Sequence, residues 1–229
     1  NGAPLETAAG TYGPDLCRDF AIDFFERHRE QPFFFYYPTH LVHNPIVRTP
    51  RSAATSEDPD TLFADNVAYL DKQVGELAAA FKMKVLANDV YHGNPPSYPF
   101  EWRVPPELFA ESDVVSLHCN LTPENTGMVN AALLGRMKKN AYLINTSRGP
   151  LVKDADMAEA LHRGTIAGAA LDVVTTEPIP ADNPLLKAPN LTLTPHIAWA
   201  ALAARRRLTK VTAENVAAFQ AGKPINLVN

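Results

Sequence analysis

Three reactive polar residues each follow an apolar stretch of the sequence: Arg148 after LINTS, Glu177 after ALDVVTT and His196 after LTLTP. Arginine presents a planar fork of donors that grips a carboxylate through two parallel hydrogen bonds, which lysine cannot do. Histidine titrates near neutral pH, so it can give a proton to a developing alkoxide and take it back in the reverse direction. A carboxylate beside the imidazole would favour its charged form. The three residue types together suit hydride-transfer chemistry on 2-keto or 2-hydroxy acids.

Each residue also has a plain structural interpretation when it is taken alone. An arginine in a turn is commonly a surface residue, a glutamate before proline is commonly solvated, and a single histidine is commonly a hydrogen-bonded core residue. What favours function is their joint position after successive predicted strands, because ligands of open parallel sheets bind at the carboxyl ends. We therefore expect Arg148, Glu177 and His196 to converge on one cleft.

The composition is typical of a soluble globular protein. The chain has 229 residues, 46% of them hydrophobic, and no long apolar run, so it can bury a sizeable core. A formal net charge of -4 gives no footprint for nucleic acid or an anionic membrane. Cys17 and Cys119 form neither a disulfide framework nor a zinc spacing, which favours inert thiols or a reducing compartment, with the cytoplasm as the predicted location. The first residues carry no secretory signal, and the chain does not begin with Met, as in a fragment or a processed form.

From residue 84 onward, apolar strands alternate with helices. This pattern predicts an α/β, Rossmann-like parallel sheet with helices on both faces. Strands are predicted at 84–90, 113–119, 141–146, 166–174 and 191–195, and helices at 105–112, 130–139, 154–163 and 202–220. Gly164 and Gly222 would end two of the helices. The buried stripe of the last helix is predicted to be Leu208, Val211, Val216 and Phe219.

The first part of the chain has a different pattern. An aromatic strand is predicted at 32–40, a Pro-, Ser- and Asp-rich loop at 44–60, and an amphipathic helix at about 61–81. Asp58 or Asp60 would cap this helix at its N-terminus. Its apolar stripe is predicted to consist of Leu62, Val67, Leu70, Val74 and Leu77.

Several motifs occur in the order and spacing of a known family: LHCNLTPENTGMVN, LINTSRGPLV, IAGAALDVVTTEP, NPLL and TPHIAW. Residues 81–229 resemble the nucleotide-binding domain of the D-isomer-specific 2-hydroxyacid dehydrogenases. The HIAW form and the GKPIN ending are most similar to its glycerate dehydrogenase and hydroxypyruvate reductase branch. The resemblance implies an NAD-dependent oxidoreductase, possible as a homodimer, that acts on a small 2-keto acid such as hydroxypyruvate or glyoxylate.

The resemblance also implies roles for single residues. Arg148 would bind the substrate carboxylate and polarise the keto oxygen, His196 would be the general acid/base, and Glu177 would be its partner. Asp172 would orient the nicotinamide carboxamide. Asp89 would take the adenosine ribose hydroxyls, which argues for NAD over NADP because an acid there would repel a 2′-phosphate. The other implied cofactor-binding residues are Cys119, Asn120, Leu121, Thr146 and Ser147.

One part of a dinucleotide site is missing from the sequence. The pattern G-x-G-x-x-G occurs nowhere in the chain, and Lys82 stands where the family run has a glycine. Those glycines let the backbone approach the pyrophosphate, and the following helix N-terminus binds its charge. We therefore expect weak NAD affinity. The strand at 32–40 and the helix at 61–81 would rebuild the first strand–helix unit, with the loop between them in place of the phosphate turn. The substrate domain that precedes this domain in the family is not recognised.

Residues 11–80 instead resemble an internal stretch of sulfatases, through TYGPDLCRDF, HNP and FADNVAYLDKQVGELAAAF. His43 matches a sulfate-contacting histidine of that family, but the nucleophile motif C/S-x-P-x-R is absent. His40 and His43 are therefore expected to be non-catalytic, and no metal site is predicted. The chain is interpreted as a chimera with its junction near Ala80: a partial sulfatase-like segment at 1–80 and a dehydrogenase-type NAD-binding domain at 81–229.

Three functions remain open at this level. The first is a 2-hydroxyacid dehydrogenase impaired by its missing cofactor turn and substrate domain. The second is a non-catalytic chimeric α/β domain. The third, a sulfatase-like hydrolase, has the least support because its nucleophile is missing.

Overall fold

A computed structural model describes residues 11–30, 48–50, 52, 53, 58–92, 95, 98–200 and 202–227. The chain divides into two compact units, one drawn from Asn1–Val85, Asn94–Phe100 and Ala201–Asn229 and the other from Leu86–Gly93 and Glu101–Ala200. Among the described residues, every helix is too short or too polar to cross a membrane. The aromatic strand predicted at 32–40, with His40 and His43, lies outside the described residues.

The helices and strands follow one another along the chain as α1 (Gly13–His28), α2 (Pro59–Ala80), β1 (Leu86–Ala87), β2 (Glu101–Trp102), α3 (Pro105–Glu111), β3 (Val114–Leu117), α4 (Ala131–Leu134), β4 (Tyr142–Asn145), α5 (Asp154–His162), β5 (Gly168–Leu171), β6 (Leu191–Leu193) and α6 (Leu202–Gln220).

The second unit contains a parallel sheet in the order β3–β4–β5–β6, with β1 and β2 as a separate parallel pair. Parallel strands connected through helices confirm the predicted α/β, Rossmann-like fold. The register places Leu117, Asn145, Leu171 and Leu193 in one row across the sheet. The segments that follow these four strands therefore leave the sheet at the same edge, where ligands of such sheets bind.

The core of this unit lies on one face of the sheet. Val115, Leu117, Leu143 and Leu171 alternate with less buried residues along their strands and pack with buried side chains of α4 and α5, among them Leu134, Met157 and Leu161. Each fully buried leucine contributes about 2–3 kcal/mol of hydrophobic stabilisation. On the opposite face, Val114 and Tyr142 are about half-exposed.

Helix ends in the second unit follow the sequence signals unevenly. Asn130 caps α4 as predicted, because its side-chain oxygen accepts the N–H groups of Ala132 and Leu133. However, α4 ends at Leu134 instead of reaching residue 139, with Gly135 at its C-cap. Gly164 follows α5 with φ 62°, the left-handed conformation that glycine adopts without strain.

The strand predicted at 84–90 is only two residues long in β1. Its polar flank explains the difference. Asp89 Oδ1 accepts the Tyr91 N–H at 2.9 Å, a local bond that turns the chain away from a ladder. Asn88 Nδ2 donates to the Arg103 carbonyl oxygen at 2.8 Å, so a side chain occupies an acceptor of the neighbouring segment.

In the first unit, α1 was not predicted from the sequence. Its signals were a proline at the start of the helix and two residues one turn apart, Ala21 and Phe25, both of which are buried. The α1 helix packs against α2.

The helix predicted at 61–81 is present as α2, and Asp58 is its N-cap, with Oδ2 accepting the Thr61 N–H at 2.8 Å. The predicted apolar stripe was wrong in part, since Val67 and Val74 are 43% and 53% exposed. Tyr69 and Gln73 are buried instead. Their polar groups tolerate burial because both side chains donate to the Asp15 carboxylate of α1. Burial and this hydrogen bond raise the pKa of Tyr69 to about 12.

The last helix, α6, has the predicted bounds and is followed by Gly222 with φ 69°. Its predicted buried stripe was wrong at three of its four residues: Leu208, Val216 and Phe219 are 54%, 52% and 74% exposed, whereas Val211 is half-buried. Helical periodicity shows that these residues share a face, but it does not show whether anything covers that face.

Candidate active site

His196 and Glu177 lie in direct contact, with His196 Nδ1 2.7 Å from Glu177 Oε2. The hydrogen bond with His196 holds the pKa of Glu177 below its ordinary value, so this carboxyl group is ionised at neutral pH. An ionised carboxylate can only accept a hydrogen bond, so it favours the tautomer with the proton on Nδ1. That tautomer leaves His196 Nε2 as the nitrogen that can exchange a proton with a ligand.

The backbone of His196 is in the left-handed region, with φ 54°. For a residue other than glycine this conformation costs about 1–2 kcal/mol, so the surrounding structure must hold it. The His196 N–H donates to the carbonyl oxygen of Asp172 at 2.8 Å and also approaches that of Thr194 at 3.1 Å. The loop after β6 is thereby tied to the end of β5.

The Asp172 carboxylate also binds the loop that follows β6. Oδ1 accepts the Thr194 hydroxyl and the Ile197 N–H, and Oδ2 accepts the Ala198 N–H, the last two at 2.9 Å. Burial raises the pKa of Asp172, but these three hydrogen bonds outweigh burial and bring it below its ordinary value. A carboxylate offers about four acceptor positions, so one position on Oδ2 remains for a further donor.

A cavity of about 550 Å³ lies at the loops that follow β5 and β6. Most of its wall is apolar, with the polar groups of Asp172, Glu177 and His196 among the lining side chains. Its other lining residues are Val174, Pro178, Ile179, Leu193, Thr194 and Pro195. An apolar cavity with a few convergent polar groups is the usual form of a small-molecule site.

Arg148 lies outside this wall, although its turn is joined to the same strand ends. Its side chain is exposed, and Nη1 donates to the Ser147 carbonyl oxygen at 2.8 Å. The Arg148 carbonyl oxygen accepts Asn145 Nδ2 at 2.9 Å, and the Asn145 carbonyl oxygen accepts the Asp172 N–H at 2.9 Å. The structure therefore brings Glu177 and His196 together and places Arg148 at the neighbouring strand end.

Gly149 sets how closely the Arg148 turn approaches the loop after β5. A Cβ atom added at Gly149 would lie 1.8 Å from the carbonyl oxygen of Val174 and 2.0 Å from its carbonyl carbon. Since both contacts are with backbone atoms, no side-chain movement can relieve them. Only glycine permits this approach.

Apart from Asp172, which follows β5, the residues predicted to bind a cofactor lie at the ends of β1, β3 and β4. Cys119, Asn120, Leu121 and Thr146 are exposed there. Ser147 Oγ donates to the Cys119 carbonyl oxygen at 2.6 Å, which joins the loops after β3 and β4.

Asp89 lies near this group. Burial raises the pKa of the Cys119 thiol, and the negative charge of Asp89 raises it further. The Asp89 carboxylate is therefore within electrostatic range of Cys119, at the end of β1 where the ribose site is expected from the family resemblance.

The residues that hold the Glu177 loop were not predicted from the sequence. Asp154, the first residue of α5, accepts Thr175 Oγ1 at 2.9 Å and Asn183 Nδ2 at 2.8 Å. These two bonds fix the loop on both sides of Glu177. The only sequence signal was an acidic residue at a helix start, which is also explained by the helix dipole.

Trp199 was also missed as a site residue. Its indole Nε1–H donates to the carbonyl oxygen of His196 at 2.7 Å. Its position within the TPHIAW motif, three residues after His196, was the signal that could have pointed to it.

Comparison with known proteins assigns the chain to a family. Residues 70–198 match the family model of the D-isomer specific 2-hydroxyacid dehydrogenase, NAD binding domain. The match begins inside α2, ahead of the start at Phe81 expected from the sequence motifs.

Two relatives and one solved structure illustrate the likeness. A hydroxypyruvate reductase from Blautia hydrogenotrophica is 44% identical over 162 residues, which are 70% of this chain and 50% of the relative. A glycerate dehydrogenase from Methylorubrum extorquens is 45% identical over 162 residues, 69% of this chain and 49% of the relative. The NAD complex of an NAD-dependent formate dehydrogenase from Staphylococcus aureus aligns with a TM-score of 0.62 and 29% identity, over 69% of this chain and 48% of that structure.

The chain spans about half the length of the curated relatives it matches. The family match, in contrast, covers more than half of this chain. The protein therefore belongs to the D-isomer specific 2-hydroxyacid dehydrogenase family, through the NAD-binding domain of that family.

Proposed function

We propose that this protein is an NAD-dependent D-2-hydroxyacid dehydrogenase of the cytoplasm that reduces a small 2-keto acid such as hydroxypyruvate or glyoxylate. The observation that carries the proposal is the 2.7 Å contact between His196 Nδ1 and Glu177 Oε2 at the wall of an apolar cavity. The hydroxypyruvate reductase and glycerate dehydrogenase relatives support the substrate class.

Different residues carry out the acid–base chemistry and the binding of the substrate. His196 Nε2 gives a proton to the keto oxygen as that oxygen gains alkoxide character, and takes it back in the reverse direction. Glu177 stabilises the positive charge on the imidazole before the proton leaves. Arg148 grips the substrate carboxylate through its planar fork and polarises the keto oxygen.

The donor and acceptor groups fit NAD at its two ends. The free acceptor position on Asp172 Oδ2 suits the N–H of a carboxamide, and the Asp89 carboxylate suits the hydroxyls of a ribose. The cofactor surface between them is Cys119, Asn120, Leu121, Thr146 and Ser147. When bound, NADH supplies the hydride. The pyrophosphate is the part for which the sequence offers no glycine-rich turn.

The origin of the two parts of the chain belongs to the same proposal. We assign residues 81–229 to the dehydrogenase-type domain and residues 11–80 to a sulfatase-like segment, which would make the chain a chimera. The sulfatase likeness rests on sequence motifs alone, and the dehydrogenase family match reaches back to residue 70. A homodimer is the assembly we propose. Sedimentation of the purified chain tests this last point, since a monomer at micromolar concentration would contradict it.

The turnover test follows NADH absorbance in the presence of hydroxypyruvate or glyoxylate. We expect a loss of absorbance that depends on the keto acid and is abolished in H196Q. No loss of absorbance at saturating NADH, with a correctly folded chain, would contradict the proposed function and favour a non-catalytic domain.

A further inference from the structure

Trp199 binds the backbone of His196 through its side chain. The indole Nε1–H donates to the His196 carbonyl oxygen at 2.7 Å, while about half of the Trp199 side chain is exposed. An indole N–H can only donate, and it lies in the plane of a rigid ring. The bond therefore fixes the direction of the His196 carbonyl group relative to the indole ring of Trp199.

The peptide plane between His196 and Ile197 is held at both ends. Its carbonyl oxygen accepts from Trp199 Nε1, and its N–H donates to Asp172 Oδ1 at 2.9 Å. The preceding peptide is held through the His196 N–H, which donates to the Asp172 carbonyl oxygen at 2.8 Å. These three bonds fix the two backbone dihedrals of a residue that stands in the left-handed region.

The direction of the imidazole depends on this backbone. The His196 side chain leaves the main chain at the Cα atom whose dihedrals are fixed in this way, and its Nδ1 must reach Glu177 Oε2 at 2.7 Å. Release of the carbonyl group would leave only the two bonds to Asp172 to hold the left-handed residue against its tendency to relax toward the commoner conformations. The Cα–Cβ bond would then turn in a larger share of the molecules, and the Nδ1 contact with Glu177 would be weakened.

We propose that Trp199 is a positioning residue for His196: its indole N–H helps to hold the His196–Ile197 peptide plane and so keeps Nδ1 of the imidazole on Glu177. The catalytic importance of that position rests on the proposed function. The positioning itself does not, since it follows from bonds within the chain.

The test replaces the N–H and keeps an aromatic ring. Protein labelled with ¹⁵N-histidine is measured by long-range ¹H–¹⁵N spectra, which distinguish protonated from unprotonated ring nitrogens, at a pH where the imidazole is neutral. The H196Q spectrum assigns the signal of His196 among the seven histidines. The variants are Trp199→Phe and, as an isosteric change, β-(3-benzothienyl)alanine at position 199, which removes only the N–H.

We expect His196 to be protonated on Nδ1 in the unmodified chain and to lose at least half of this signal in both variants. Trp102→Phe is the matched control, because Trp102 stacks on His92 with ring centroids 4.1 Å apart and should leave the His196 signal unchanged. If the Trp199→Phe chain does not fold, the benzothienyl variant alone decides.

An unchanged His196 signal in the folded variants would overturn the proposal. So would a result in which the variants raise only the KM for a 2-keto acid, because that would make Trp199 a ligand contact. The spectra contain neither cofactor nor substrate. A failed turnover assay therefore counts against the proposed function and leaves the spectroscopic result standing.

Discussion

Asp172 binds the His196 loop with its backbone and its side chain at once. Its carbonyl oxygen accepts the His196 N–H at 2.8 Å, and its carboxylate accepts the N–H groups of the next two residues at 2.9 Å each. The side chain is almost fully buried. One residue at the end of β5 thus determines the path of the chain that follows β6.

Replacing Asp172 with Asn should destabilise the protein. The amide keeps the size of the side chain but places an NH₂ donor against one of the backbone or hydroxyl donors. We expect a loss of about 1.5–3 kcal/mol in the free energy of unfolding, the usual contribution of a hydrogen bond to a charged group. Urea unfolding measures it. Asp182→Asn, at an exposed position, is the control, and equal midpoints for the two variants would contradict this role.

The stabilisation by Asp172 should also depend on pH. Its pKa in the folded protein is lowered, so its contribution is complete above the ordinary aspartate pKa of about 3.9 and is lost as the pH falls through the lowered value. The difference in unfolding free energy between the unmodified chain and D172N should therefore be constant from about pH 7 to 5 and shrink below about pH 4. A difference that grows on acidification would contradict the assignment.

Gly149→Ala should disturb the join between the turn after β4 and the loop after β5. The new Cβ would overlap the Val174 carbonyl group, and overpacking of this kind costs about 1–3 kcal/mol. Thermal unfolding should show a lower midpoint. Gly13→Ala is the control, since a Cβ there meets no atom within 4 Å and alanine suits a helix. A G149A midpoint equal to that of G13A would show that the turn is looser than described.

Replacing His196 should lower turnover more than replacing Glu177. H196Q removes the proton carrier and should lower kcat/KM by about 10²–10⁴-fold. E177Q keeps an oxygen that accepts the Nδ1–H but loses the charge, so its loss should be about ten-fold. Glu159→Gln, on the exposed side of α5, should not change kcat/KM. Equal losses in H196Q and E177Q would indicate that the carboxylate does more than support the imidazole.

Arg148→Lys should weaken substrate binding although the charge is kept. A lysine ammonium is a point charge and cannot form the two parallel bonds of a guanidinium. Loss of one charge-assisted bond of about 1.5–3 kcal/mol corresponds to a decrease in kcat/KM of about 10–100-fold. Steady-state kinetics with hydroxypyruvate measures it. Arg163→Lys, whose side chain pairs with Glu159 on the surface, is the control, and parallel behaviour of the two variants would remove Arg148 from the site.

Helix bounds could be predicted where a local signal decides them. Gly164 and Gly222 lie just beyond α5 and α6 with positive φ, as the glycines suggested. What covers a helix could not be predicted, because periodicity is a local property. Periodicity could not show that most of the apolar stripe of α6 is exposed among the described residues. It also could not show that α2 buries Gln73, because the partner of Gln73, Asp15, lies 58 positions away in sequence.

The same distinction between what could and could not be predicted from the sequence applies to the candidate active site. Residue types and strand ends suggested that Arg148, Glu177 and His196 would meet in one cleft; Glu177 and His196 do meet, whereas Arg148 lies outside the cavity wall. The family resemblance singled out Asp172. The hydrogen bonds that hold the His196 backbone could not be predicted, since the His196 N–H and carbonyl groups that make them carry no sequence signal. Trp199 and the Asp172 carbonyl oxygen act on the main chain of His196, where any residue would present the same atoms.

The affinity for NADH should be far weaker than in a family member with a glycine-rich turn. In the intact arrangement, glycines bring backbone N–H groups and a helix N-terminus to the pyrophosphate. This chain contains no G-x-G-x-x-G. In α2, the helix assigned to that role by sequence, one N–H of the first turn is already bound by a carboxylate: Asp58 accepts the Thr61 N–H at 2.8 Å.

The charge of such a cap would also oppose a phosphate. A unit negative charge about 4 Å from a phosphate oxygen costs on the order of 4 kcal/mol at an effective dielectric constant of about 20, before screening by salt. That exceeds the roughly 0.3–1 kcal/mol that a helix dipole supplies. Asp89 and Asp172 can still hold the two ends of the cofactor, so binding should be weakened and not abolished. Isothermal titration with NADH, beside a relative that carries the turn, decides the matter: micromolar binding by this chain would show that another group takes the place of the missing glycines.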